Sequence, residues 1–400
     1  MPDPDRVSVR LEALWRIAHG HGGGADRPAY SPAEAEALRL VAGWAREAGL
    51  DPAIDRFGNL WAPPAGAGRL ASSGSHVDTV PDGGRYDGTL GTVLALEAAH
   101  ALPGRVALLV CAAEEAPRFG AGTIGSRLAT GLLDEGELAD ARDADGVSAL
   151  EARDRFLDEL VDLARVERVP FERLAAHVEV HVEQRGDLAD RGARLGVVER
   201  VAVPRRYEVI VRGRAGHAGE VAMDRRADAL VAASELVLAL ETAAAGDGNP
   251  ATVGTVGTLR VEPGAVSVIP AVAVLGVEVR STDAGALTSV GEAFAAACDR
   301  VEARRGVSID RRLVRGGDPV ELDDGLVDAA LAAAARHGAV AVRTYSGAGH
   351  DAQHIAARVP TALLFVPLTG GESHTPAEDA RADDVALASE VAIDVLRGAL

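Results

Sequence analysis

The chain has 400 residues, 48% of them hydrophobic, enough to bury a substantial core and, at roughly 100 to 200 residues per domain, to form two domains. Its formal net charge of -19, from 60 acidic residues against 41 basic ones that are all Arg, argues against a nucleic-acid partner and favours a small-molecule substrate. Cys111 and Cys298 exclude a disulfide framework and fit a reducing compartment; with no signal-like character in Met1-Pro2-Asp3-Pro4-Asp5 and no apolar run near the ~18 residues of a membrane helix, a cytoplasmic protein without a membrane partner is expected.

In chain order, Ser31 as N-cap, Pro32 at the first position, Leu38, Val41, Ala42 and Ala45 at helical spacing and Gly49 as terminator predict a helix over 31–49. Strands follow at 59–62 and 70–76, then a Gly-rich loop, an apolar helix over 90–102 and a buried strand over 105–113 that runs into Glu114-Glu115. The charged stretch 134–166 reads as covering structure. His177 to Glu183 alternates strictly, placing both His and both Glu on one face of a strand and three Val on the other. From Pro204 the texture changes. Strand 207–213, helix 224–242, strands 252–261 and 271–280, helix 286–304 and strand 307–314 have the β-α-β-β-α-β order of a ferredoxin-like unit. A helix at 325–337, a strand at 361–366 and a helix at 383–397 then resume the α/β pattern. The expected organisation is a mixed-sheet α/β domain, residues 1–203 and 318–400, with residues 204–317 inserted.

Imidazoles and carboxylates supply the candidate chemistry. His76 and Asp78 lie where a strand runs out, and Asp87 lies in a turn rich in Gly83, Gly84 and Gly88, able to close around an ion. Asp78 is placed to fix a His76 tautomer; taken alone, His76 reads equally as a sheet-edge histidine. Glu114-Glu115 should emerge at the sheet edge, one as metal ligand and one as general base, or else as the solvated start of a helix. His177 and His181 are four apart, but the alternating valines demand a strand and rule out a helical zinc motif; His181 is the better ligand and His177 the structural histidine. His374 and His350 stand in polar loops, and His217 lies in the inserted unit. There is no Gly-X-Ser-X-Gly elbow, no Walker A lysine and no dinucleotide fingerprint.

Taken together, Gly74-Ser75-His76-Val77-Asp78-Thr79-Val80-Pro81 with Gly83 to Gly88, Glu114-Glu115 with Arg118-Phe119-Gly120 and Gly125-Ser126-Arg127, His181-Val182-Glu183-Gln184, Ser346 to Gln353, and Ser373-His374 resemble the hydantoinase/carbamoylase branch of the M20 metallopeptidase family. That branch contains N-carbamoyl-L-amino-acid hydrolases, ureidopropionases and allantoate amidohydrolases, and the resemblance spans nearly the whole chain. It implies a metallopeptidase-like catalytic domain with a ferredoxin-like dimerisation domain. It also implies two divalent ions, zinc, manganese, cobalt or nickel, held by His76 and His181 on one side and Glu115 and His374 on the other, with Asp87 bridging. Glu114 would be the general base and Asp78 its companion in the catalytic set. His217 would reach across a homodimer to a developing oxyanion. Gln184, Arg280, Ser267 and Gly349 would contact an N-substituted amino acid, Arg280 by gripping a carboxylate.

The chain departs from the family pattern around the substrate. Ser267 stands in Ser267-Val268-Ile269-Pro270 where the family has Asn, Arg185-Gly186-Asp187 replaces Gly-Pro after Gln184, and Glu220-Val221-Ala222-Met223 replaces Thr-Thr-Pro-Met. Three readings follow: a carbamoylase-type hydrolase, an N-acyl amino-acid or dipeptide hydrolase, and a catalytically silent binding protein that keeps the fold.

Overall fold

Short aliphatic runs that cannot expose either face become interior strands. In the computed structural model, which describes residues 2–66 and 68–400 and leaves Met1 and Ala67 outside the described residues, ten strands position the features that matter. They are β1 (Leu60–Ala62), β2 (Leu70–Ser73), β3 (Val106–Val110), β4 (Leu174–Val182), β5 (Leu195–Val201), β6 (Val203–Arg212), β7 (Val253–Glu262), β8 (Val272–Ser281), β9 (Ser308–Arg315) and β10 (Thr361–Val366). The larger sheet is mixed. Its central run is β10-β4-β2-β3-β1, parallel from β10 through β3, with β1 antiparallel to β3 and β5 antiparallel to β10. All nine residues of β4 are buried, so the His and Glu face expected from its alternation is covered as fully as the valine face.

The chain divides into two compact units. One runs through Glu199 and takes in Glu321–Thr344 and Gly349–Leu400; the other comprises Arg200–Val320 and Tyr345–Ala348. In the second unit the strand order is β9-β6-β8-β7, all antiparallel, with helices Ala229–Ala245 and Ala284–Arg305 packed through Leu236, Leu240, Leu287, Val290 and Phe294. That is the ferredoxin-like arrangement expected from the element order. The helix expected from residue 224 begins at Ala229, because Asp228 caps it by accepting from Leu230 N and Val231 N.

Two boundaries differ from expectation next to the candidate site. The strand expected to reach His76 stops at Ser73, since Gly74 crosses β3 so closely that a Cβ there would stand 1.6 Å from Leu109 O; His76 rejoins the sheet by a single bridge to Cys111. The strand expected to run into Glu114 ends at Val110. Ala113 then turns left-handed at φ 54°, re-aiming the two glutamates away from the strand direction. Helix Thr89–Ala101 lies against β4 at Gly91, where a Cβ would stand 2.1 Å from Val180 O. Among the described residues no helix is long and apolar enough to cross a membrane.

Candidate metal centre

Both sheet-borne histidines have their tautomer set by the backbone. His76 Nδ1 lies 3.1 Å from Asp78 O and His181 Nδ1 lies 3.1 Å from Val182 O, so in each neutral ring Nδ1–H donates and the Nε2 lone pair is free. The two Nε2 atoms face each other at 3.4 Å, and each also lies near Asp87 Oδ1, at 3.4 and 3.2 Å. The other carboxylate oxygen of Asp87 belongs to a second group: Oδ2 lies 3.1 Å from His374 Nε2, which is 3.6 Å from Glu115 Oε1. Asp87 thus shares one oxygen with His76 and His181 and the other with His374 and Glu115.

These residues fit two divalent ions. Nitrogen and oxygen donors at about 2.0–2.1 Å from a tetrahedral ion are separated by roughly 3.3–3.4 Å, close to the edges measured here. Were both rings neutral, their facing lone pairs would repel at that distance; a positive charge between them, a metal ion or a proton, relieves this. The electrostatics agree. Burial alone would depress His76, but Asp78, Asp87 and Glu114 raise it well above the ordinary histidine value. Burial also opposes a charged Asp87, yet His181, His374 and His76 hold its carboxyl well below the usual range. Asp87 raises His374 to about 9, and burial with Asp87 nearby pushes Glu115 to about 7.

Glu114 stands at the rim of the first group, its Oε2 4.0 Å from His76 Nε2. Burial, offset by His76, and the neighbouring Glu115, Asp351 and Asp78 push its carboxyl well up. Asp78 lies against the His76 ring, as expected, and has a second task that the sequence did not suggest. Its carboxylate lies 3.4 Å from His76 Nδ1, while Oδ1 and Oδ2 accept the backbone N–H groups of Glu114 and Glu115 at 3.1 and 2.9 Å. Gln184 Nε2 contacts Asp87 Oδ2 at 2.9 Å and His374 Nε2 at 3.1 Å. Gly88, at φ 64°, is needed for its backbone and because a Cβ would stand 2.4 Å from the His76 ring. His177 lies away from this cluster with Ser72 Oγ 2.9 Å from its Nδ1.

Three candidates lie in the second unit. His217 is exposed and accepts Gly219 N–H on Nδ1 at 3.0 Å, which leaves the proton of a neutral ring on Nε2. It forms a bridge with Val268, and Ala218 N donates to Ser267 O at 2.9 Å, so His217 and Ser267 lie on adjoining loops. Arg280 donates Nε to Glu278 at 2.5 Å and Nη1 to Gly347 O at 2.9 Å. Gly349 precedes His350, which is buried with its ring centroid 4.5 Å from that of His181.

Sequence reasoning passed over the supports. Glu34 sits three residues after the N-cap Ser31, the spacing of a capping box, yet its buried carboxylate accepts Tyr30 N at 2.5 Å and Ala113 N at 2.9 Å. With Asp78 it holds three consecutive amides, those of Ala113, Glu114 and Glu115. Arg27 is buried and donates to Val77 O, Leu14 O and Ile17 O; burial lowers it to about 10 despite Asp78 and Glu34. Glu179, though near His181 and His350, accepts from Ser75 Oγ and Ala352 N, both at 2.8 Å, and so braces the strand ends.

A profile of Peptidase family M20/M25/M40 matches residues 73–398. The chain belongs to that family. Within it, the chain is 33% identical to the ureidoglycolate hydrolase of Oryza sativa subsp. japonica over 96% of this chain and 82% of that one. It is 32% identical to the N-carbamoyl-L-amino acid amidohydrolase of Geobacillus stearothermophilus over 97% and 96%. Among solved structures, a hydantoinase/carbamoylase family amidase from Burkholderia multivorans matches with a TM-score of 0.86 and 30% identity, covering 100% of this chain and 98% of that one. This M20 chain is therefore an amidohydrolase, acting on carbon–nitrogen bonds other than peptide bonds. Metal dependence goes with the family, and the His and carboxylate clusters accord with it.

Proposed function

We propose that the chain hydrolyses the carbamoyl (ureido) group of an N-carbamoyl amino acid or a related ureido acid at a dinuclear centre. The observation that carries this reading is Asp87, whose two oxygens are each shared with a separate pair of donors, with Glu114 at the rim. His76 and His181 would hold one ion, Glu115 and His374 the other, and Asp87 both. When bound, two divalent ions supply Lewis-acid polarisation of a carbonyl and acidification of water. Glu114 takes the proton from the attacking water and returns it to the leaving nitrogen, a role that suits a carboxyl whose proton affinity burial has raised. Asp78 and Glu34 keep Glu114 in place through the backbone. His217 donates Nε2–H to the developing oxyanion, Arg280 grips the substrate carboxylate, and Gln184 and Gly349 orient the substrate. Water adds across the C–N bond, giving the free amine and carbamic acid, which falls apart to carbon dioxide and ammonia.

A second reading, hydrolysis of an N-acyl amino acid or dipeptide, is favoured by one observation. Ser267 is exposed on the loop beside His217, and its single hydroxyl cannot make the paired contacts of an amide side chain to a ureido group. Measuring ammonia release from N-carbamoyl amino acids against amine release from N-acyl ones separates the two. Glu114→Gln should retain metal and lose activity by 10²-fold or more; near-normal turnover removes Glu114 as the base. Full activity in protein that elemental analysis finds metal-free would remove the dinuclear centre.

The functional unit in this reading is a homodimer in which His217 serves the neighbouring site. Edge strand β7 supports it. Val253 and Leu259 are exposed along this strand, and Val231 and Leu238 are exposed on helix Ala229–Ala245; the opposite edge β9 also exposes Leu313 and Val314 but interleaves its apolar residues with Asp310, Arg311, Arg312 and Arg315, whereas Arg260 and Glu262 are the two charged residues of β7.

A further inference from the structure

The turn carrying Asp87 and the loop carrying His374 come from opposite ends of the chain, and one side chain holds both. Glu378, only 4% exposed, accepts the backbone N–H groups of Tyr86 at 2.6 Å and Asp87 at 2.9 Å on Oε1, and the Ser373 hydroxyl at 3.0 Å on Oε2. Its own N–H closes a turn onto Thr375 O at 3.1 Å. Gly84 leaves room for the carboxylate, since a Cβ there would stand 2.2 Å from it.

We propose that Glu378 is a positioning residue that sets the separation of Asp87 from His374 and so governs retention of the ion on the Glu115–His374 side. The inference rests on the two-ion reading above. His76 and His181 are fixed by the sheet: His181 lies within β4, and His76 is bridged to Cys111. His374 instead sits on a loop at φ 59°, with its side chain 44% exposed. Loss of the brace therefore falls mainly on the Glu115–His374 half, where both Asp87 and the His374 loop lose their support, and reaches the other half only through the shared Asp87.

The brace requires acceptors, not charge. In Glu378→Gln the amide oxygen can still accept from Tyr86 and Asp87, and the amide nitrogen can donate to Ser373 Oγ, which then gives its proton to Asp87 Oδ2, 3.2 Å away. Alanine removes all three bonds. A charge that merely attracted cations would make the two substitutions equivalent.

The test is metal binding by the full-length protein, read as ions per chain by elemental analysis and as affinity by competition of Mn²⁺ against a chromophoric chelator. Wild type should bind two ions. Glu378→Ala should keep one tight ion and bind the second about 10–100-fold more weakly, as loss of an outer partner does, while Glu378→Gln stays within about threefold of wild type. Gly84→Ala, whose methyl displaces the carboxylate, should follow Glu378→Ala and keeps the test open if that variant fails to fold. Two ions bound to Glu378→Ala as tightly as to wild type, or a Gln variant as weak as Ala, overturns the proposal. Fewer than two ions in wild type overturns the two-ion reading instead.

Discussion

At His76 and His181 the backbone decides what the ring can do. Carbonyl oxygens at Asp78 and Val182 take the Nδ1 protons, and both Nε2 atoms turn inward. His177, on the same strand as His181, has the opposite fate. Burial lowers it to about 3, so the folded state keeps it neutral while the unfolded chain binds a proton near 6.5. The sign follows: its contribution to stability is full above about 6.5 and is lost as pH falls toward 3. Between pH 7 and 5 wild type should lose about 2 kcal/mol that His177→Gln does not lose, measured by urea unfolding at each pH. Equal slopes would mean His177 is not held neutral. Asp55, which burial pushes to about 6, acts in the reverse sense, its contribution present at low pH and fading as pH rises through 6, so the comparison must be between variants and not across pH alone.

Singly, a His or Asp at a strand end or turn is ordinary; Asp87 and the four residues whose donors gather at it were singled out because they recur in the order of the family's motifs. Glu34 and Glu378 were not. Their partners are backbone amides 79 and 291 positions away, and an amide leaves no trace in residue type. Asp78 was singled out for its place beside the His76 ring, where its carboxylate stands at 3.4 Å, while its bonds to the glutamate amides were not legible.

At the scale of elements, periodicity recovered the central strands and the longer helices from Ser31 on, but missed helix Pro4–Trp15, strand β5 and strand Ala341–Ser346, and did not show where elements stop. Side-chain pattern carries the period; termination at Ser73 and Val110 comes from close backbone crossings at Gly74 and the left-handed Ala113. The same logic makes Gly91 a structural requirement. Helix Thr89–Ala101 is buried around most of its surface and can approach β4 only because residue 91 lacks a Cβ. Gly91→Ala should cost about 1–3 kcal/mol in unfolding measurements, in spite of the better helix propensity of Ala, because the added methyl has backbone on its far side. A variant as stable as wild type would show that the helix shifts freely.

At the scale of the molecule, the assembly reading rests on one edge of the second unit's sheet. Strand β7 leaves ten residues of edge with only Arg260 and Glu262 charged. Leu259→Glu should convert a dimer to a monomer in light scattering and, if His217 serves a neighbour, reduce kcat by at least 10²-fold while leaving metal content unchanged. A monomer with full activity would separate assembly from catalysis.

The unequal cover over the candidate ligands has a further consequence. His76, His181 and Asp87 are almost wholly buried, while the His374 side chain is 44% open to solvent. In the two-ion reading, an ion held by the first set would be shielded from solvent by its ligands, whereas one held by the second would meet water on the His374 side. The two positions would then have separate lifetimes, and stepwise stripping and refilling would yield a chain carrying a different element on each side of Asp87.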